Sequence, residues 1–307
     1  MNAPPVPAAP KIRMHRAGAG LAWVRQGLLL YARYPLVLVV LVGLGPLFLG
    51  TLQVVPLYGD FAALVLTPAI GLGMLNVCRS ARLGVAPGVG SYLSTLREPV
   101  ARLRLLQLGV VYVLFAGVLA LLLAALMPEH AAAPVDAGAP ANGAGGTTAP
   151  PPVPGVAGVP AAPGTPAATE FTFGAVPLPV LAATVVLVLP FMMAVWFAPA
   201  LTGWYRMTVP KALFFSFFAC WRNRWAILVY LSTLLGLSIV AVMFVGTLIA
   251  LLNARDGMAP YLLVAPLVFL TLTISQCANL AMVQDIIDDG EAMDAAMPAV
   301  PPVLPPG

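Results

Sequence analysis

The side chains that could do chemistry in this sequence are few, and most stand at the edges of long apolar runs. Asn76, Thr271, Thr273, Ser275, Gln276 and Asn279 are the most polar set inside those runs. Gln276 and Asn279 share one helical face. With Asn76 they could line a polar cavity between the second and sixth runs, the feature expected of a transporter or lipid-handling permease. The plainer alternative is hydrogen bonding between helices, worth about 0.6 kcal/mol or somewhat more per pair in a bilayer. No charge accompanies these residues, which favours the plainer reading. Asp60 and Asp256 sit at run ends and Asp285 lies past the last run. Proton coupling usually needs an ionisable group inside the bilayer, and none stands near a run centre.

The two histidines, His15 and His130, fall outside the runs, which excludes haem or His-based metal ligation within them. Cys78, Cys220 and Cys277 have no paired spacing and read as small apolar filler. No HExxH, P-loop or GxSxG pattern occurs, and no nucleophile stands beside a base. These residues favour a non-enzymatic protein with no cofactor and no metal.

The elements that carry them are membrane spans. Of 307 residues, 61% are hydrophobic and only 8% charged, against about 25% charged in a soluble domain. Six apolar runs approach the roughly 20 residues needed to cross a bilayer: 36–56, 61–78, 105–127, 176–198, 226–252 and 261–282. The fold class is all-α integral membrane, with six transmembrane helices as three hairpins. The first run is too long for a signal-peptide core of about 7–15 residues, so it is expected to stay in the membrane.

Charge then orients the spans. Of the 15 Lys and Arg, 14 fall in alternate intervals and only Arg255 breaks the pattern. Cytoplasmic loops accumulate such residues, so both termini are expected in the cytoplasm of a bacterial inner membrane. The basic intervals are amphipathic. Leu21, Trp23, Val24, Leu28, Leu30 and Tyr31 share a face opposite Arg25, Gln26 and Arg33. Tyr92, Leu93, Leu96, Val100 and Leu103 form a stripe in the loop 79–104. Leu213, Phe214, Phe217, Phe218 and Trp221 oppose Ala212, Ser216, Ala219 and Asn223, with Thr208 as N-cap and Pro210 in the first turn. Each hairpin is thus preceded by a basic cytoplasmic interfacial helix with its apolar face among acyl chains. All five Trp are expected near the cytoplasmic headgroups.

The chain divides into a disordered basic tail (1–16), a first membrane part (17–127), a Pro/Ala/Gly-rich external loop without Lys or Arg (128–175), a second membrane part (176–283), and a tail that is acidic, then Pro-rich (284–307). The helix–span–turn–span order recurs at 21–78, 89–198 and 209–282. Thr67-Pro68-Ala69-Ile70 echoes Ala198-Pro199-Ala200-Leu201.

Three stretches carry a resemblance: Gly20-x-x-Trp23-x-x-x-Gly27 leading to Tyr34-Pro35, Phe197-Ala198-Pro199-Ala200-Leu201, and Lys211 to Phe217 through Cys220-Trp221-Arg222-Asn223-Arg224. With them the membrane part resembles an uncharacterised family of proteobacterial multi-pass inner-membrane proteins. The resemblance implies an inner-membrane location and no established activity, and it carries no functional residue across.

The residues themselves point to a membrane-organising or partner-binding protein whose basic aromatic cytoplasmic belt meets the anionic inner leaflet. The expected headgroup contacts are Arg25, Arg33, Arg97, Arg102, Lys211, Arg222 and Arg224, with Trp221 and Trp225. Nucleic acid is disfavoured because the basic residues are spread over three loops. Homo- or hetero-oligomers are both compatible with the sequence.

Overall fold

The computed structural model describes residues 11–56, 58–126, 178–252 and 258–288. The helices are α1 (Ala19–Arg33), α2 (Pro35–Leu52), α3 (Tyr58–Arg82), α4 (Val89–Tyr92), α5 (Pro99–Leu126), α6 (Leu178–Val195), α7 (Ala198–Gly203), α8 (Val209–Arg222), α9 (Arg224–Leu251) and α10 (Ala259–Ile286). Two short strands, β1 (Lys11–Ile12) and β2 (Ile287–Asp288), pair antiparallel with Lys11 opposite Asp288. Among the described residues, six segments are long and apolar enough to cross a membrane: α2, α3, α5, Val180–Gly203 across α6 and α7, α9, and Leu262–Ile286 of α10. The chain forms two compact units, one of residues 1–118 and 187–307, the other of 119–186. The site residues described below all belong to the first.

Within that unit α3 is the central helix. The most apolar stretch of α3 is 61% buried in protein, against 28% or less for every other span. Lipid tails are as apolar as leucine, so helices in a bilayer associate through close packing at small residues. The glycines show where that happens. A Cβ on Gly109 of α5 would strike the Val65 carbonyl of α3, and one on Gly203 of α7 would strike Leu72. At Gly73 it would lie 2.5 Å from the Tyr92 ring, which fills the notch.

The sequence placed helix α1 among acyl chains, and the structure corrects this. Trp23 is fully buried and Val24 and Leu30 nearly so, packed by protein, while Leu21 and Leu29 on the flank stay more than half exposed. The cause is Gly20 and Gly27. A Cβ at Gly20 would lie 2.6 Å from the Tyr230 nitrogen of α9, and one at Gly27 would lie 2.6 Å from the Ala278 nitrogen of α10. Two glycines seven residues apart give α1 a flat stripe that seats against both neighbouring backbones, with Trp23 between them. The Gly20–Trp23–Gly27 motif is therefore a packing device.

A second correction concerns the loop 79–104. No continuous surface helix forms there. Its residues build the four-residue α4, a single 3₁₀ turn at Thr95–Arg97, and then α5 from Pro99. Tyr92 leaves the expected stripe to cover Gly73, and Pro99 starts a helix because its missing N–H is an orphan at that position anyway. The Thr67-Pro68 echo also dissolves. Pro68 lies inside α3, whereas Pro199 opens α7 after a break at Trp196–Phe197.

The tails are partly built in. Residues 11–16, expected as part of a disordered tail, contain β1, and 284–288 complete α10 and form β2. Residues 1–10 and the expected external loop 128–175 lie outside the described residues, as do His130, Arg255, Asp256 and 289–307.

Candidate functional site

Helix α8 is built with its apolar side outward. Its N-cap Thr208 is extended (φ −65°, ψ 149°), with Pro210 in the first turn, as the sequence suggested, although the Thr208 side chain makes no capping bond. The buried face is Val209, Ala212, Ser216, Ala219 and Cys220. The small side chains let α8 lie close to the protein, and burial pushes the Cys220 thiol up to about 12. The Ser216 hydroxyl accepts from the Phe197 N–H at 2.9 Å and donates to the Met193 carbonyl at 2.8 Å. It thereby splices the α6–α7 break, where both backbone groups would otherwise lack helical partners.

Phe214, Phe218 and Trp221 point the other way, 62%, 40% and 53% exposed, with Trp225 beyond them at 63%. The aromatics contact one another: Phe214 and Phe218 centroids are 4.5 Å apart, and Phe217 stacks on Trp221 at 6.2 Å. Cations lie against rings of the same segment. Lys211 lies 5.8 Å from the Phe215 centroid, and the Arg224 guanidinium is 5.5 Å from Trp221 and 5.8 Å from Trp225. The exposed face of α8 is thus aromatic and apolar, with cations at its rim.

The other expected contacts are also at the surface. Arg25, Arg33, Arg97, Arg102 and Arg222 are all exposed. The Trp expectation needs narrowing, because Trp23 and Trp204 are buried inside the protein and only Trp221 and Trp225 are exposed indoles. Arg79 is likewise 4% exposed, its guanidinium 5.3 Å from the Trp204 ring.

At the same end of the bundle, the segment 13–15 is held against Asn223 and the end of α10. The buried Asn223, between α8 and α9, accepts from the His15 N–H at 2.9 Å and donates to the Arg13 carbonyl at 3.0 Å and the Ala219 carbonyl at 3.1 Å. Asp285 near the end of α10 accepts from the Trp23 indole N–H at 2.7 Å, and its carboxylate lies 3.4 Å from His15 Nδ1. The Arg13 N–H donates to the Ile286 carbonyl at 2.9 Å. The signal that could have found this was Asn223 itself, a polar residue on the small-residue side of an amphipathic helix.

Among the described residues, Asn76, Gln276 and Asn279 line neither of the two depressions described below. Asn76 is 6% exposed and engaged at both ends of its amide: it donates to Thr95 Oγ1 at 2.8 Å and accepts from the Trp204 indole at 2.8 Å. Thr271, Thr273 and Ser275 bond back to carbonyls of their own helix, at Leu267, Phe269 and Leu272. Gln276 and Asn279 share α10 but line neither depression on the α1 side. Cys277, between them in sequence, meets Cys78 of α3 with sulfurs 3.5 Å apart, a contact of two free thiols that spacing could not show. Among the described residues, no group of His, Cys, Asp and Glu could hold a metal ion.

A groove of about 200 Å³ does exist between α1, α3 and α10, lined by Gln26, Leu29, Leu30, Arg33, Arg82, Cys277 and Ala281. Beside it a shallower depression of about 430 Å³ is lined by Gly18, Leu21, Ala22, Arg25, Gln26 and Leu29.

Over 222 residues the chain is 32% identical to a probable inner membrane protein of Burkholderia thailandensis, covering 70% of this chain and 71% of that one. It belongs to that protein's family. No family model and no solved structure matches. Family membership and the six apolar helices together make this a multi-pass inner-membrane protein.

Proposed function

We propose that the protein is a non-enzymatic membrane-organising component that holds anionic phospholipid of the cytoplasmic leaflet against a basic aromatic belt. Both termini lie on the cytoplasmic side in this reading. The carrying observation is α8, which turns Ala212, Ser216 and Ala219 inward and leaves Phe214, Phe218 and Trp221 outside with Lys211, Arg222 and Arg224 around them. An exposed aromatic face on a water-facing helix would be a costly arrangement, whereas at the headgroup level it is the favourable one. Basic residues near an anionic leaflet contribute about 1 kcal/mol each.

The test uses the full chain in nanodiscs, with lipid brominated near the headgroup as a quencher of tryptophan fluorescence. Brominated phosphatidylglycerol is expected to quench Trp221 and Trp225 more than brominated phosphatidylcholine does at equal mole fraction. Trp221→Phe with Trp225→Phe should remove most of the quenching, and Arg222→Gln with Arg224→Gln should remove the preference for phosphatidylglycerol. Equal quenching by both lipids, unaffected by the arginine changes, would overturn the proposal. The alternative of a transporter with a polar cavity is not favoured by the placement of Asn76, whose amide is already satisfied.

A further inference from the structure

The groove between α1, α3 and α10 has a composition that no packing role requires. Two guanidinium groups from distant parts of the chain, Arg33 in the last turn of α1 and Arg82 at the end of α3, stand at one small cavity. Among the described residues, no carboxylate lines it. Glu98 is paired with Arg206 at 2.9 Å, and the Asp285 carboxylate is taken by Trp23 and His15. Below the arginines the walls turn apolar, with Leu29, Leu30, Cys277 and Ala281. Gln26 adds an amide donor one turn along α1 from Leu30.

We propose that this groove seats one anionic phospholipid, its phosphate held by Arg33 and Arg82 and the first part of an acyl chain lying on Leu29, Leu30 and Ala281. Guanidinium forks match phosphate oxygens bidentately, which a lysine ammonium does not. A volume of about 200 Å³ exceeds the ~150 Å³ that accepts a benzene ring in an apolar protein cavity. The space therefore takes a segment of acyl chain and leaves the rest of the lipid outside. A surface for that remainder exists: Leu29 is exposed, and directly after Arg33 and Pro35 the side chains of Leu36, Val37 and Val40 on α2 are exposed as well. Free phosphate would find the two arginines but nothing for the apolar wall to bind. A zwitterionic headgroup, such as that of phosphatidylcholine, brings its own ammonium group towards two guanidinium cations, which disfavours it.

This inference rests on the reading that the basic end of the bundle lies at the headgroup level, but its residues are separate from the α8 belt. The experiment measures lipids retained per chain by native mass spectrometry of the full protein in detergent, titrated with phosphatidylglycerol or phosphatidylcholine. One phosphatidylglycerol per chain should be held at least tenfold more tightly than phosphatidylcholine. Arg33→Gln with Arg82→Gln should abolish that preference, and the paired Lys variants should restore part of it. Arg222→Gln with Arg224→Gln should leave the single tight lipid in place while removing the quenching preference of the belt. Failure of the belt would therefore leave this binding event unchanged. The proposal is overturned if the tight lipid survives the paired Gln variants. It is equally overturned if phosphatidylcholine binds as well, or if millimolar inorganic phosphate displaces phosphatidylglycerol, since the acyl chain would then contribute nothing.

Discussion

Replacing Gly27 by alanine adds one methyl group where α1 crosses α10, and its consequence can be worked from the crossing itself. The new Cβ would lie 2.6 Å from the Ala278 nitrogen and 2.7 Å from its Cα and Cβ. Carbon atoms rest at about 3.5–4.0 Å, so the two helices must part by roughly 1 Å. The obstacle is largely backbone, so no side chain can swing away. A gap of ~0.5–1 Å forfeits a quarter to a half of each dispersion contact that it opens. Overpacking of this kind costs about 1–3 kcal/mol. Against it stands the gain in helix propensity from Gly to Ala, about 0.5–1 kcal/mol. The two ranges leave a net of about 0–2.5 kcal/mol; because the obstacle is backbone, the steric cost belongs at the upper part of its range, and a loss of ~1–2 kcal/mol is expected.

The same substitution at Gly71 supplies the control. Nothing lies within 4 Å of a Cβ there, so only the propensity gain of about 0.5–1 kcal/mol remains and the variant should be slightly more stable. The three free cysteines are all buried, so a thiol-reactive fluorophore reports unfolding of the detergent-solubilised chain. At about 2–4 °C per kcal/mol, Gly27→Ala should melt ~2–8 °C below the parent and Gly71→Ala at or above it. If Gly27→Ala melts with the parent, or both variants fall alike, α1 does not seat on α10 through that glycine.

Other outcomes follow from individual bonds. Trp23→Phe keeps the buried ring but removes the N–H that donates to Asp285 at 2.7 Å; a loss of ~1.5–3 kcal/mol is expected, and faster proteolysis near residues 11–16 is the second readout. Ser216→Ala strips the bridge over the α6–α7 break and should cost about 1–3 kcal/mol for the backbone groups left unpaired, with Ser216→Cys closer to alanine than to serine in the same melting assay. The pH dependence has a definite sign. Burial raises the Cys220 thiol from 9.0 and the Tyr92 phenol from 10.0, each to about 12. Well below pH 9 both groups are neutral folded or unfolded and add no slope. From there to about pH 12 the unfolded chain releases protons that the folded chain keeps, so stability falls as pH rises. Melting measured across that window should decline less steeply in Cys220→Ala.

The six spans were legible because length and hydropathy are set by the bilayer, and each was found with ends shifted by a few residues. Two ends moved for a reason that hydropathy does not contain. α3 continues to Arg82 because Arg79 is taken up over Trp204, and α10 continues to Ile286 because Asp285 is met by Trp23. In both cases a charged residue that reads as a span boundary has a partner more than a hundred residues away. Asn76, for which hydrogen bonding between helices was the plainer reading, likewise has partners that sequence does not pair with it. Thr95 and Trp204 use the two ends of its amide, and neither lies near it in sequence.

The two amphipathic helices show where pattern alone stops. α1 and α8 have similar alternation of apolar and basic residues, and both were assigned to the membrane surface. Periodicity reports that a helix has an apolar face, but not whether protein or lipid covers it. The size of the residues on each face decides that. In α1 the glycines lie on the apolar face with Trp23, so that face can reach the backbones of α9 and α10 and is buried. In α8 the small residues lie opposite the aromatics, so Ala212, Ser216 and Ala219 approach the protein and the rings are left outside. A helix whose small residues share the apolar face is built to enter a protein core. One whose small residues sit opposite that face is built to offer it elsewhere. Moving the notch should therefore move the helix: Ala212→Leu with Ala219→Leu is expected to lift α8 and expose the Cys220 thiol to labelling at neutral pH. An unlabelled Cys220 in that variant would refute the rule for this protein.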